Sequence, residues 1–287
     1  MTVRRRLVYA LVATIFVALL EFWGGAVSRS LALAGDAVHV CMDAVALMLA
    51  LVASIGASRP ADPRRTFGYG RVEVLGALVN GTVLLAATIA IVYFAAMRFM
   101  APVPPDAGIM TGVAAVGLAV NAAIGLLLRA QSKSDLNVRA ALFHVFGDAL
   151  GAGAVIVGGI AIGLTGQAWI DPLLSLFVAG IIVVGVGRLL RDATDVLLES
   201  VPGDVDAASL TEHLERVGGV AGIHDLHVWS IGSGSRALSA HVALDDRRLS
   251  EATAVLREID ACARAHFNIT HVTIQFECES CPIAVQH

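Results

Sequence analysis

His39 and Asp43 stand four residues apart, as do His144 and Asp148, and each pair lies inside an apolar run. At that spacing the two side chains of a pair share one face of a helix. A carboxylate in hydrocarbon is expensive unless it is paired, hydrated or bound to a cation, so each pair is a candidate functional site. Brought together, two imidazole nitrogens and two carboxylate oxygens complete a tetrahedral set suited to Zn2+. The surroundings repeat too: Val38-His39-Val40-Cys41-Met42-Asp43-Ala44 is echoed by Phe143-His144-Val145-Phe146-Gly147-Asp148-Ala149. The plainer alternative has each histidine bonding within its own helix and each aspartate meeting an arginine at an interface, yet no Arg or Lys adjoins either pair. Two aspartates cancel the double charge of the ion, and protonation of the histidines relieves the charge left when it departs. Such chemistry suits exchange of zinc for protons. Asp36, three residues before His39, fits an orienting or access role, whereas Cys41 points away from both ligands of its run.

The elements that must hold these pairs are membrane spans. Of the 287 residues 57% are hydrophobic and only 15% are charged, and the mean hydropathy is +0.77. Six segments reach the roughly 20 apolar residues that a bilayer requires, at 7–28, 32–56, 72–99, 108–130, 139–164 and 169–190. The first reads as an uncleaved span rather than a leader, because five more follow it. Arg4 to Arg6, the loop with Arg59, Arg64, Arg65 and Arg71, the loop with Arg129, Lys133 and Arg139, and Arg188 with Arg191 all fall on one side, against Arg29 and Arg98 on the other. By the positive-inside rule both termini face the cytoplasm, and an integral protein of the cell inner membrane is expected. Glu21, Asn80, Asn121 and Asp171 are further polar residues inside the spans, of unassigned role.

The character changes near Val201. Residues 201–287 hold six Arg, twelve Asp plus Glu and seven of the nine histidines. Their pattern predicts helix 206–217, strands 222–230 and 236–244, helix 249–265 and strand 270–277. The expected fold is thus an all-α six-span membrane domain over 1–200, followed over 201–287 by a small α+β domain of helix-strand-strand-helix-strand order with both helices on one face of the sheet. A second constellation lies there: His224, His241, His271, Glu277, Cys278 and Cys281. Cys-x-x-Cys alone also fits a redox pair, but thiolates beside imidazoles suit Zn2+, and six candidates exceed one tetrahedral shell. In a regular strand His224 and His227 face opposite ways. His213, His266 and His287 are expected to be solvated. The acidic balance of this half excludes nucleic acid as a partner.

Six spans, the two His-x-x-x-Asp pairs, Arg65-Thr66-Phe67-Gly68-Tyr69-Gly70-Arg71-Val72-Glu73 and Ile223-His224-Asp225-Leu226-His227-Val228-Trp229 together resemble the cation diffusion facilitator family, particularly its zinc-exporting branch. The resemblance implies a homodimer in the lipid bilayer, with a transport site in each subunit at His39, Asp43, His144 and Asp148, Zn2+ as cargo and as ligand of the cytoplasmic domain, protons as counter-ions, and dimerisation through that domain. It places His224, rather than His227, among the cytoplasmic ligands. Some members carry a further metal site in the loop between spans two and three; here Asp62 remains, but Arg65 and Tyr69 stand at the histidine positions, so that site is expected to be absent. Arg71 resembles the basic residue that braces the dimer against an acidic one after span six, matched by Glu199.

Three other functions compete. A broader exporter would also carry Cd2+, Co2+, Fe2+ or Mn2+, which His/Asp chemistry permits. A non-transporting zinc sensor explains the C-terminal constellation but leaves two ionisable pairs in the spans without purpose. A zinc hydrolase needs an open metal position, and four protein ligands leave none.

Overall fold

The computed structural model describes residues 3–57, 61–129, 136–232, 234–245 and 247–278, and within those ranges the side chains other than those of 3–10, 46, 47, 49–57, 127–129 and 136–146. Six long helices come first: α1 (Val3–Ser28), α2 (Leu31–Ala57), α3 (Gly70–Met100), α4 (Ala107–Arg129), α5 (Leu136–Thr165) and α6 (Ile170–Leu197). At about 1.5 Å per residue, the 31 residues of α3 extend for roughly 46 Å, more than the hydrocarbon thickness. Among the described residues, α1, α3, α4, α5 and α6 each contain a stretch long and apolar enough to cross a membrane, and α2 is of matching length. These six helices form the membrane domain. The chain divides into two compact units, one of residues 1–51 with 77–190, the other of residues 52–76 with 191–287.

In the first unit, Leu33 of α2, Met110 and Ala114 of α4 and Val155 of α5 share one buried cluster. A second cluster joins Val38 and Met42 of α2 to Leu84 of α3 and to Val178, Ile182 and Val186 of α6. α2 therefore contributes to both, and the stretch that carries His39 and Asp43 runs between them. Small residues permit the close approach of these helices: a Cβ at Gly25 of α1 would lie 2.9 Å from the backbone nitrogen of Ala34. Gly25→Val is expected to destabilise the membrane domain by roughly 1–3 kcal/mol through overpacking, measured as a lower unfolding midpoint in detergent.

The α1–α2 turn is tied down from a distance. Asp171, fully buried in the first turn of α6, accepts hydrogen bonds from the Ser30 hydroxyl at 2.6 Å and from the backbone N–H groups of Leu31 at 2.8 Å and Ala32 at 3.3 Å. It thereby satisfies helix-start donors that lipid cannot. Arg98, near the end of α3, lies 3.5 Å from the same carboxylate and donates to the Arg29 carbonyl at 2.6 Å. The residue left unassigned by spacing is thus a buried helix cap with a half-buried counter-charge. Glu21 of α1 is also buried and lies against Gly117 of α4, where a Cβ would sit 2.6 Å from its Oε1.

The C-terminal part of the second unit follows in the order α7 (Ala207–Glu215), β1 (Val220–Gly232), β2 (Ser235–Leu244), α8 (Leu249–Phe267) and β3 (His271–Cys278). Asp206 caps α7 through the N–H groups of Ala208 and Ser209, and Asn268 ends α8 in the left-handed conformation. The strands lie in the order β1-β2-β3, with β1 antiparallel to β2 and β3 parallel to β2. Leu210, Leu214, Val255 and Ile259 from the helices pack on Val228, Leu238, Ala240 and Val242 from the sheet. Alternation along β2 leaves Ser239, His241 and Ala243 on the other face.

That second face differs from the expectation in one respect. His224 pairs with His241 and His227 with Ser239, so three steps of β1 oppose two of β2. The extra residue is a β-bulge, with Asp225 at φ 50°, a conformation that Asp tolerates better than most residues. His224 and His227 therefore present to the same face, and the inference of opposite faces is corrected. His213 is also not freely solvated: it is half-buried, bonds the Ser209 carbonyl oxygen at 2.7 Å and packs against His266 and Phe267.

Candidate metal-binding sites

α2 brings His39 and Asp43, and α5 brings Asp148, to one point. The His39 Nε2 lies 3.7 Å from Asp43 Oδ2 and 3.6 Å from Asp148 Oδ1, and one ligand atom from each residue lies within 4.8 Å of the others. Bonds of about 2.0 Å to a tetrahedral ion set neighbouring ligand atoms about 3.3 Å apart. The three donors thus stand close to the spacing of a zinc shell. They line a cavity of about 530 Å3 together with Asp36, Asn80 and residues of α6. Cys41 is exposed and is not among the lining residues. α5 runs unbroken through position 144, but the side chain of His144 lies outside the described residues.

In the C-terminal domain His224, His241 and Glu277 form a second group within the same 4.8 Å limit. Glu277 bridges the pair, with Oε2 2.9 Å from His224 Nε2 and Oε1 2.8 Å from His241 Nδ1. The two rings cross at 73°, centroids 5.2 Å apart. The bulge adds a residue that spacing did not single out. Asp225 accepts from His227 Nε2 at 2.9 Å, and its other oxygen lies 3.6 Å from His241 Nε2. An acidic residue flanked by two histidines was the available signal. Two imidazoles and a bridging carboxylate fit a divalent ion, with Asp225 and His227 beside them.

Three expected ligands stand differently. β3 pairs His271 with Ala237, four residues along β2 from His241, a separation of about 13 Å. It is therefore remote from the cluster, and its ring instead packs edge-on against Phe67. Cys278 ends β3 and takes part in a disulfide. Cys281 lies outside the described residues.

The charges of this face shift its acids. Burial works against the Glu277 carboxylate, but hydrogen bonds from His224 and Gln275 and the neighbouring imidazoles outweigh it and hold the group below its ordinary range. The hydrogen bond from His227 does the same for Asp225, against some burial. With both titrating below their unfolded values, their stabilisation is complete above the ordinary carboxylate pKa of about 4 and is lost as the pH falls through the lower folded values. In metal-free protein, Glu277→Gln is expected to flatten the fall in C-terminal-domain stability below about pH 4, as followed by tryptophan fluorescence against pH.

Asp62 lies in the loop before α3. Its carboxylate accepts from the Tyr69 hydroxyl at 2.6 Å and from the backbone of Arg64 and Arg65 at 2.7 and 2.9 Å. These bonds, that of Tyr69 foremost, hold it below its usual range. Arg71 and Glu199 pair at 2.6 Å within one chain.

Comparison with known proteins agrees along the length of the chain. A family model for the cation efflux transmembrane domain matches residues 7–198, and one for the cytoplasmic domain of cation efflux proteins matches residues 202–279. The metal cation efflux system protein CzcD of Cupriavidus metallidurans is 39% identical over 96% of this chain and 86% of its own. The zinc transporter ZitB of Escherichia coli is 38% identical over 96% and 88%. A cadmium, cobalt and zinc/H(+)-K(+) antiporter of Bacillus subtilis is 37% identical over 91% and 85%. Among solved structures, the metal-bound C-terminal domain of CzcD from C. metallidurans is 41% identical, covering 25% of this chain and 99% of that one, with a TM-score of 0.24. With both halves matched in order and relatives of this similarity spanning nearly the full length, the chain belongs to the cation diffusion facilitator family, alongside CzcD and ZitB, and is a membrane transporter rather than an enzyme.

Proposed function

We propose that this chain exports Zn2+ from the cytoplasm in exchange for protons, holding the ion in transit between His39, Asp43, His144 and Asp148. The observation that carries the reading is the convergence of His39, Asp43 and Asp148 from two different helices within a membrane-domain cavity. Two aspartates neutralise the ion; when it leaves, two negative charges remain in a poor dielectric, and protons taken up by the imidazoles and carboxylates relieve that cost. The working unit is a homodimer in an inner membrane with both termini cytoplasmic. In the C-terminal domain a second Zn2+ held by His224, His241 and Glu277 reports cytoplasmic metal to the transporter, with Cys278 and Cys281 as further ligands. His271, remote from that cluster, stands apart from this ion.

A wider cargo range is favoured by the relative whose name includes cadmium and cobalt besides zinc. The experiment is zinc flux in proteoliposomes with an imposed pH difference and competing divalent ions. The zinc ratio reached across the membrane is expected to shift about tenfold per pH unit for each proton exchanged, and reversing the pH difference to reverse the direction of net zinc movement. Flux that ignores the gradient would refute the exchange.

A further inference from the structure

Asn80 stands on α3, away from both helices that carry the ligands, and is only 5% exposed. Among the described residues its side-chain oxygen has no hydrogen-bond donor, yet Asn80 lines the same cavity as Asp36, His39, Asp43 and Asp148. Leu84, one turn further along α3, packs with Val38 and Met42 of α2, the neighbours of His39 and Asp43. Asn80 is thus about one helical turn, roughly 5.4 Å along the axis, from the layer of the ligands. A buried carbonyl oxygen with no donor is costly to keep, and native proteins retain few of them. Leu84, Val178 and Ile182, which also line the cavity, have no donor to offer, and neither His39 nor Arg188 of the same lining donates to it. A cation, or water polarised by it, satisfies that oxygen.

The size of the cavity bears on what arrives. Its volume of about 530 Å3 is many times the ~30 Å3 that one water occupies in the liquid, so an entering ion keeps part of its hydration. A neutral amide oxygen extends the coordination of such an ion without adding charge. Zn2+ is content with four ligands, whereas Co2+ and above all Mn2+ accept carbonyl and water oxygens in larger shells. We propose that Asn80 supplies a neutral oxygen to the transported cation and so determines how well ions that prefer more than four ligands are carried beside zinc. This rests on the reading of His39, Asp43 and Asp148 as the transport site.

The test uses the full-length protein in proteoliposomes, with Zn2+, Co2+ and Mn2+ each offered as the metal alone. Asn80→Leu keeps the side-chain size and removes the oxygen. It is expected to lower zinc flux as well, and to lower Co2+ and Mn2+ flux about tenfold further than that of zinc. Asn80→Gln, which retains a neutral amide oxygen, is expected to restore the ratio. An equal fall for all three ions, which marks a structural role, overturns the proposal, as does an unchanged ratio or a parent protein that carries neither Co2+ nor Mn2+. Asp148→Ala, run in parallel, separates the two readings: if it still carries zinc, the transport site is wrong. If it is inactive while Asn80→Leu leaves the ratio unchanged, only the role of Asn80 is lost.

Discussion

Replacing Asp148 with alanine is expected to reduce zinc flux to background while leaving metal binding by the C-terminal domain intact. The substitution removes one of two carboxylates from a cluster whose ligand atoms stand 3.6 to 3.7 Å apart. A Zn2+ ion left with a single negative ligand carries a net charge into the membrane domain, and a charge at that depth costs about 2.5–3.5 kcal/mol or more. At about 1.4 kcal/mol for each factor of ten, occupancy falls at least roughly a hundredfold. Asp148→Asn keeps the shape and loses the charge, and is expected to fail in the same way. Stopped-flow zinc flux, with calorimetric titration of zinc into the same variant, reads both halves of the expectation. Undiminished flux would remove the basis of the transport site.

The largest effect on stability is expected at Asp171, which touches no proposed ligand. Its fully buried carboxylate caps α2 and faces Arg98. Asp171→Ala leaves the guanidinium without its partner and strips the start of α2 of its acceptors. Arg98 is only partly buried, so the loss falls below the ~3–5 kcal/mol of a fully buried pair, but with the lost cap a marked drop in the unfolding midpoint and in the yield of folded protein in detergent is expected. Asp171→Asn keeps one acceptor oxygen and should fall between. If Asp171→Ala melted with the parent protein, the cap would not be holding the turn.

The order of elements was readable from residue spacing because length and hydropathy act on whole segments. Spans such as the one around His39, and the strand Val272-Thr273-Ile274-Gln275-Phe276-Glu277, declare themselves without reference to the rest of the chain. The membrane cluster was readable for the same reason, since a helix fixes the relation of His39 to Asp43. What spacing concealed depends on partners. The bulge at Asp225 is a left-handed residue in a strand whose register also shifts at Val220/Gly222 and Ser230/Gly232, and a period of two carries no mark of it. The distance of His271 from His241 follows from the register of β3 on β2, set by a parallel crossover through α8. Asp171 looks like any acid in a first helical turn until the N–H groups of Leu31 and Ala32 are found above it.

That long-range cap has a consequence for biogenesis. Ser30 and Asp171 are separated by 141 residues, so while the chain is being made, the amides of the first helical hairpin enter the bilayer well before their acceptor exists. The hairpin must wait, its turn held by lipid headgroup water, until the sixth span has left the ribosome. Release of a nascent chain stalled short of that point would leave an unlocked hairpin, the kind of species that membrane quality control degrades.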